Sequence, residues 1–137
     1  KAAKAKAPLG DWDTLGGPFA AVSAAIATMR DKGFSAPFTL VMSQAHYAKL
    51  ASLMSQGRRE IEMVKTLADG GIFATTSLTA DDPVLLLCPA DWNMDLVVGQ
   101  DIATAYLGNE GLDHLFRVME TLLVRVKRPG AICLLKD

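Results

Sequence analysis

The chain has 137 residues, a net charge of −1, half of its residues hydrophobic and a mean hydropathy of +0.23. That length allows one domain with a core that needs no disulfide or metal staple. The balanced charge offers no basic face for nucleic acid, and no run approaches the roughly 18 apolar residues of a membrane span. So rich an apolar supply in a short chain implies that part of it is buried against other chains.

Lys1–Lys6 alternates alanine with lysine and has no apolar stretch, so it is not a secretory signal; it reads as a chain entered midway. Residues 1–17 form an expected irregular lead-in, with Trp12 and Leu15 as anchors. Pro18 suits the first turn of a helix. Phe19, Val22, Ile26 and Met29 then recur at helical spacing, and Gly33 ends the helix. Pro37–Met42 is an expected short strand. Ser43 caps a second helix that carries Tyr47, Leu50 and Met54 on one stripe. Ser55-Gln56-Gly57-Arg58-Arg59 breaks that helix, and Ile61, Val64 and Leu67 mark a third. Glu60 and Glu62 are assigned to its solvated face.

Gly70-Gly71 stops the third helix, and strands are expected at Ile72–Thr76, Pro83–Cys88 and Met94–Val98. Gly99-Gln100-Asp101 reads as a turn, with the chain resuming toward Tyr106. His114–Val126 is the longest strand candidate, with Phe116, Val118, Leu122, Val124 and Val126 on one face. Ala131–Leu135 closes the chain. The pattern is α+β, with about three helices against a mixed sheet.

Chemistry-bearing motifs are sparse. His46 and His114 lie in no Gly-x-Ser-x-Gly or His-Glu-x-x-His pattern, and they read as ordinary, partly exposed side chains. Cys88 and Cys133 sit in apolar runs, which suits buried free thiols better than a disulfide. Two isolated histidines and two isolated cysteines lack the short spacing of zinc ligands. The glycine pairs do not belong to a phosphate loop. Arg125, Lys127 and Arg128 form a small basic cluster that could meet an acidic neighbour across a subunit contact.

Four segments, in this order, resemble the encapsulin nanocompartment shell proteins, the linocin-type family. They are Ala36-Pro-Phe-Thr-Leu-Val-Met42, the loop-bearing stretch Ser43–Gly71, Gly99-Gln-Asp-Ile-Ala-Thr-Ala-Tyr106, and Phe116–Val126 leading into Lys127-Arg-Pro-Gly-Ala-Ile-Cys-Leu-Leu135. The resemblance covers roughly residues 9–136 and implies the tailed-phage major capsid (Hong Kong 97-type) fold. It matches only that family's C-terminal half. Residues 18–100 would be the A-domain core and residues 101–137 the returning strands that join A-domain and P-domain, in a fragment of a longer subunit or an A-domain-only relative.

The resemblance also implies function. The chain would be a structural, non-enzymatic subunit of a closed icosahedral shell that holds cargo enzymes in the cytoplasm. Its partners would be further copies of itself and a cargo protein's C-terminal targeting peptide, with no cofactor, nucleic acid or membrane. Ser55, Gln56, Gly57, Arg58 and Arg59 would line the pore at the five-fold axis. Asp101 and Ile102 would form half of the cargo groove. A phage capsid fragment is the alternative within the same fold. A small hydrolase using His46 or His114 is the alternative from another class.

Overall fold

The computed structural model describes residues 5–55 and 57–136. The elements run β1 (Ala5–Ala7), α1 (Gly17–Asp31), β2 (Thr39–Ser43), α2 (Gln44–Ser52), β3 (Met54–Ser55), β4 (Arg58–Arg59), α3 (Glu60–Leu67), β5 (Gly71–Thr75) and β6 (Val84–Leu87). They continue with β7 (Met94–Glu110), β8 (Asp113–Val126), a 3-10 turn at Pro129–Ala131 and β9 (Ile132–Leu135). The α+β class read from the sequence is therefore the class observed.

Five strands form a mixed sheet in the order β1-β9-β6-β2-β5. β2 runs antiparallel to β6 and parallel to β5, and β9 runs antiparallel to β6 and parallel to β1. α1 lies against β1, β6 and β9, α2 lies against β2 and β5, and α3 packs on both helices. Apolar residues at 3–4-residue spacing make this possible: α1 buries Ala21, Val22, Ala25, Ile26 and Met29 on one stripe. Gly33 follows the α1 cap at φ +80°, a left-handed conformation open to glycine. Phe38, Leu40, Met42, Leu86 and Leu135 complete a core that is shut off from water.

Four expectations about local structure are corrected. The lead-in is not wholly irregular, because Ala5–Ala7 pairs with Cys133–Leu135 at the sheet edge. Within it Trp12 is buried and donates Nε1–H to the Leu9 carbonyl at 2.9 Å, while Leu15 is exposed. α2 stops at Ser52 and Leu53 turns extended, so Met54 leaves the helical stripe for β3 and is exposed. Gly99-Gln100-Asp101 is no turn: β7 continues through it without a break.

β7 and β8 form a separate two-stranded ribbon whose contacts are chiefly with itself. β7 has 17 residues and β8 has 14, and three register shifts absorb the difference. Each shift is a β-bulge, which bends the ribbon and adds to its right-handed twist. At the base, the Lys127 and Arg128 N–H groups donate to the Asn93 carbonyl at 2.8 and 3.0 Å. The Asn93 side chain, itself buried, donates to the Cys88 carbonyl at 3.1 Å.

Candidate functional site

The Ser55–Arg59 segment forms a miniature hairpin. Met54 pairs with Arg59 and Ser55 with Arg58, and Gly57 takes φ +79° in the turn. Gln56 lies outside the described residues. Arg58 and Arg59 are exposed, and neither has an ion-pair partner among the described residues. Arg58 borders a shallow hollow of about 150 Å³ with Glu62, Met63 and Thr66. The hairpin therefore presents two unneutralised guanidinium groups to solvent.

The next residue overturns a sequence expectation. Glu60 is fully buried rather than solvated. Its carboxylate accepts the Gly16 N–H at 2.9 Å and the Phe19 N–H at 3.0 Å. α1 has no capping side chain of its own, since Gly16 occupies the N-cap. Glu60 thus satisfies orphan amides at the positive end of α1 from 44 and 41 residues away in sequence. Its own N–H donates to the Leu53 carbonyl at 2.9 Å, closing the base of the arginine hairpin. Sequence reasoning missed Glu60; the available signal was a helix opening on Gly-Pro with no Ser, Thr, Asp or Asn to cap it.

Asp101 and Ile102 occupy a bulge in the ribbon. Gln100 faces Thr121 and Ala103 faces Met119, so both bulged residues stand opposite Glu120. The Asp101 Oδ1 accepts the Ile102 N–H at 2.8 Å, and Ile102 is 66% exposed. This pair and the arginine hairpin lie in different two-stranded sheets, so the structure does not bring them together.

The ribbon carries most of the exposed apolar surface. Leu96, Val98, Tyr106, Phe116, Val118, Leu122 and Val124 all share its even-numbered β8 face by register, and each is about half exposed or more. The opposite face adds Leu115 and Leu123. Two members of the basic cluster, Arg125 and Lys127, meet an acid within the chain. Arg125 makes a two-pronged bond to Asp95 at 2.6 and 3.0 Å, and Lys127 reaches Asp95 at 2.7 Å. Hydrogen bonds from Arg125 and then Lys127 hold the Asp95 carboxyl well below the usual carboxylate range. Arg128 instead lies over the Phe34 ring, 4.5 Å from its centroid.

His46 is buried, not partly exposed. Its Nδ1 lies 2.9 Å from the Ser43 Oγ, which also accepts the His46 N–H at 3.2 Å as the α2 cap. Trp12 stands edge-on to the imidazole at 5.3 Å. Burial, followed by the nearby Lys49 charge, lowers the His46 pKa; Asp13 opposes them. Both Ser43 and His46 are nearly inaccessible, at 3% and 6% exposure, so this pair presents no nucleophile to a substrate. His114 is exposed far out on the ribbon, with Nδ1 3.2 Å from the Tyr106 hydroxyl. Cys88 and Cys133 are free and buried, as their apolar settings indicated. No group of three or more His, Cys, Asp or Glu side chains among the described residues could hold a metal ion. No helix among them is long and apolar enough to cross a membrane.

Comparison with known proteins gives concordant relatives. The chain is 38% identical over 130 residues to the type 1 encapsulin shell protein EncA of Myxococcus xanthus, covering 94% of this chain and 45% of that protein. It is 36% identical over 129 residues to a diheme-cytochrome-encapsulin shell fusion protein of Kuenenia stuttgartiensis, covering 93% of this chain and 35% of the fusion. Among solved structures, the virus-like particle from Pyrococcus furiosus superposes with a TM-score of 0.72 at 29% identity, covering 96% of this chain and 56% of that one. The chain thus spans less than half the length of these curated relatives. Its α+β fold is the capsid-type fold of that particle. The profile described as "Encapsulating protein for peroxidase" matches residues 1–123, and the chain belongs to this linocin-type family of encapsulin shell proteins.

Proposed function

We propose that this chain is the A-domain-bearing part of a structural subunit that assembles with copies of itself into a closed, icosahedral shell around cargo enzymes. The observation that carries the reading is the β7–β8 ribbon. A two-stranded ribbon is marginal alone in water, yet this one extends over 17 and 14 residues with large apolar side chains open on both faces. Exposed apolar side chains clustered in this way fit a buried place in an assembly. The chain does no chemistry in this reading, and it acts from the cytoplasm without cofactor, nucleic acid or membrane.

Within the subunit, residues 18–100 supply the A-domain core and residues 101–137 return toward the shell wall; β9 re-enters the A-domain sheet between β1 and β6. The Ser55–Arg59 hairpin lines the pore at the five-fold axis, where Arg58 and Arg59, repeated around the ring and without an ion-pair partner among the described residues, favour anions by their field. Asp101 and Ile102 contribute half of a groove for the cargo's C-terminal targeting peptide. One relative, by its name, joins a diheme cytochrome to an encapsulin shell in a single protein. Sedimentation of the purified chain, with and without the rest of its subunit, tests the reading. Assembly that depends on an intact ribbon supports it; a monomer at every concentration, in both forms, contradicts it.

A further inference from the structure

We propose that Glu60 is the positioning residue of the arginine hairpin, fixing the direction in which Arg58 and Arg59 project by tying the hairpin to the N-terminus of α1. Three observations converge. Glu60 is fully buried and follows Arg59 directly, so its backbone belongs to the hairpin's base while its side chain points inward. Its carboxylate takes two amides of the first turn of α1, at 2.9 and 3.0 Å. Its own N–H closes the loop onto the Leu53 carbonyl at 2.9 Å.

Apart from its junction with α3, the hairpin has little else to hold it. β3 and β4 are two residues each and pair only with one another, outside the five-stranded sheet. Met54, Arg58 and Arg59 are exposed, so no apolar side chain of the hairpin anchors it in the core. α1, by contrast, is packed along its length by its buried stripe. A buried carboxylate bridging a rigid helix and a two-rung hairpin is thus the connection that transmits the helix's position to the arginines. Among the described residues no cation pairs with the carboxylate, which lies instead at the positive end of α1 on the Gly16 and Phe19 amides. A neutral amide in its place would offer one acceptor for two donors and set an N–H against an N–H.

The orienting role stands on contacts within this chain; only its consequence for anion passage rests on the pore reading. The test places nitroxide labels on Asp31→Cys, at the exposed end of α1, and on Arg59→Cys, about 20 Å apart along the helix axis. With Glu60 present, the label pair should give one narrow distance distribution. Glu60→Gln should broaden it and speed hydrogen exchange at the Arg58, Arg59 and Glu60 amides by about tenfold or more, leaving β2 and β6 amides unchanged. Glu60→Asp, which keeps the charge but is one methylene shorter, should recover part of the narrow distribution. A distribution that stays narrow in Glu60→Gln, or exchange that rises equally through the sheet, overturns the proposal. If Glu60→Gln does not fold, Glu60→Asp decides: broadening confined to the hairpin supports the role and an unbroadened distribution removes it. Should the hairpin stay fixed in these variants while Arg58→Glu still alters ion passage, the pore reading survives and the role of Glu60 does not.

Discussion

Replacing Val118 by threonine should scarcely disturb the isolated chain and should markedly weaken its assembly. Threonine keeps the branched Cβ that suits a strand, so backbone preference barely changes. Val118 is 67% exposed, which leaves only a third of its surface out of water. Full burial of a valine side chain is worth about 1.5–3 kcal/mol, and threonine keeps one of its methyls, so the isolated chain should lose at most about 0.5–1 kcal/mol. The remaining two thirds, up to about 1–2 kcal/mol, is available only to a partner surface, and losing it should weaken each contact by up to roughly 5- to 30-fold. Leu86→Ala is the control: Leu86 is fully buried on β6, the middle strand of the sheet, and its truncation should cost about 2–5 kcal/mol. Urea unfolding of the isolated chain and dissociation of assembled particles read the two effects separately. If Val118→Thr destabilised the isolated chain as much as Leu86→Ala, the ribbon would be part of the chain's own core and the reasoning would fail.

Other expectations follow from single side chains. Arg58→Glu with Arg59→Glu should reverse the preference for small anions over cations entering an intact shell; unchanged ion flux would show that these arginines do not line the passage. If Asp101 and Ile102 supply half of a cargo groove, as proposed, the isolated chain should bind a targeting peptide poorly, and tight binding by calorimetry would refute this. His46 has a depressed pKa in the fold, so the unfolded chain takes up its proton first as the pH falls. Its contribution is therefore fully present above the ordinary value of 6.5 and is lost as the pH drops through that value toward the lower folded one. His46→Gln should flatten this part of the stability–pH curve, and an unaltered slope would exclude His46 as its source.

The helices and the sheet strands other than β1 were legible because each carries its own local signal. Ser43 opens α2, Gly33 ends α1, and the apolar spacing of Val22, Ile26 and Met29 fixes the face of α1 that turns inward. What stayed illegible depends on partners distant in sequence. Gly99-Gln100-Asp101 has turn chemistry, yet β8 draws it into a continuous strand and the surplus residues become bulges. The length of the His114–Val126 run was itself the missed sign, since so long a strand needs an equally long neighbour. Glu60 looked like a surface residue because its partners, the amides of Gly16 and Phe19, lie more than forty positions earlier. Arg125 and Lys127 looked unpaired for the same reason: Asp95 lies 30 residues from Arg125 in sequence, directly across the ribbon. The readings of Ser55–Arg59 as a pore loop and of Asp101 and Ile102 as part of a groove came from family resemblance rather than from any chemistry legible in the chain itself.

Electron microscopy of the complete subunit purified from its native cells tests the central claim most directly. Closed particles of uniform size, with the β7–β8 ribbon buried in the wall and the Arg58–Arg59 hairpin at the five-fold openings, are the expected result. Dispersed monomers or small open oligomers, with the ribbon bare to solvent, would contradict it.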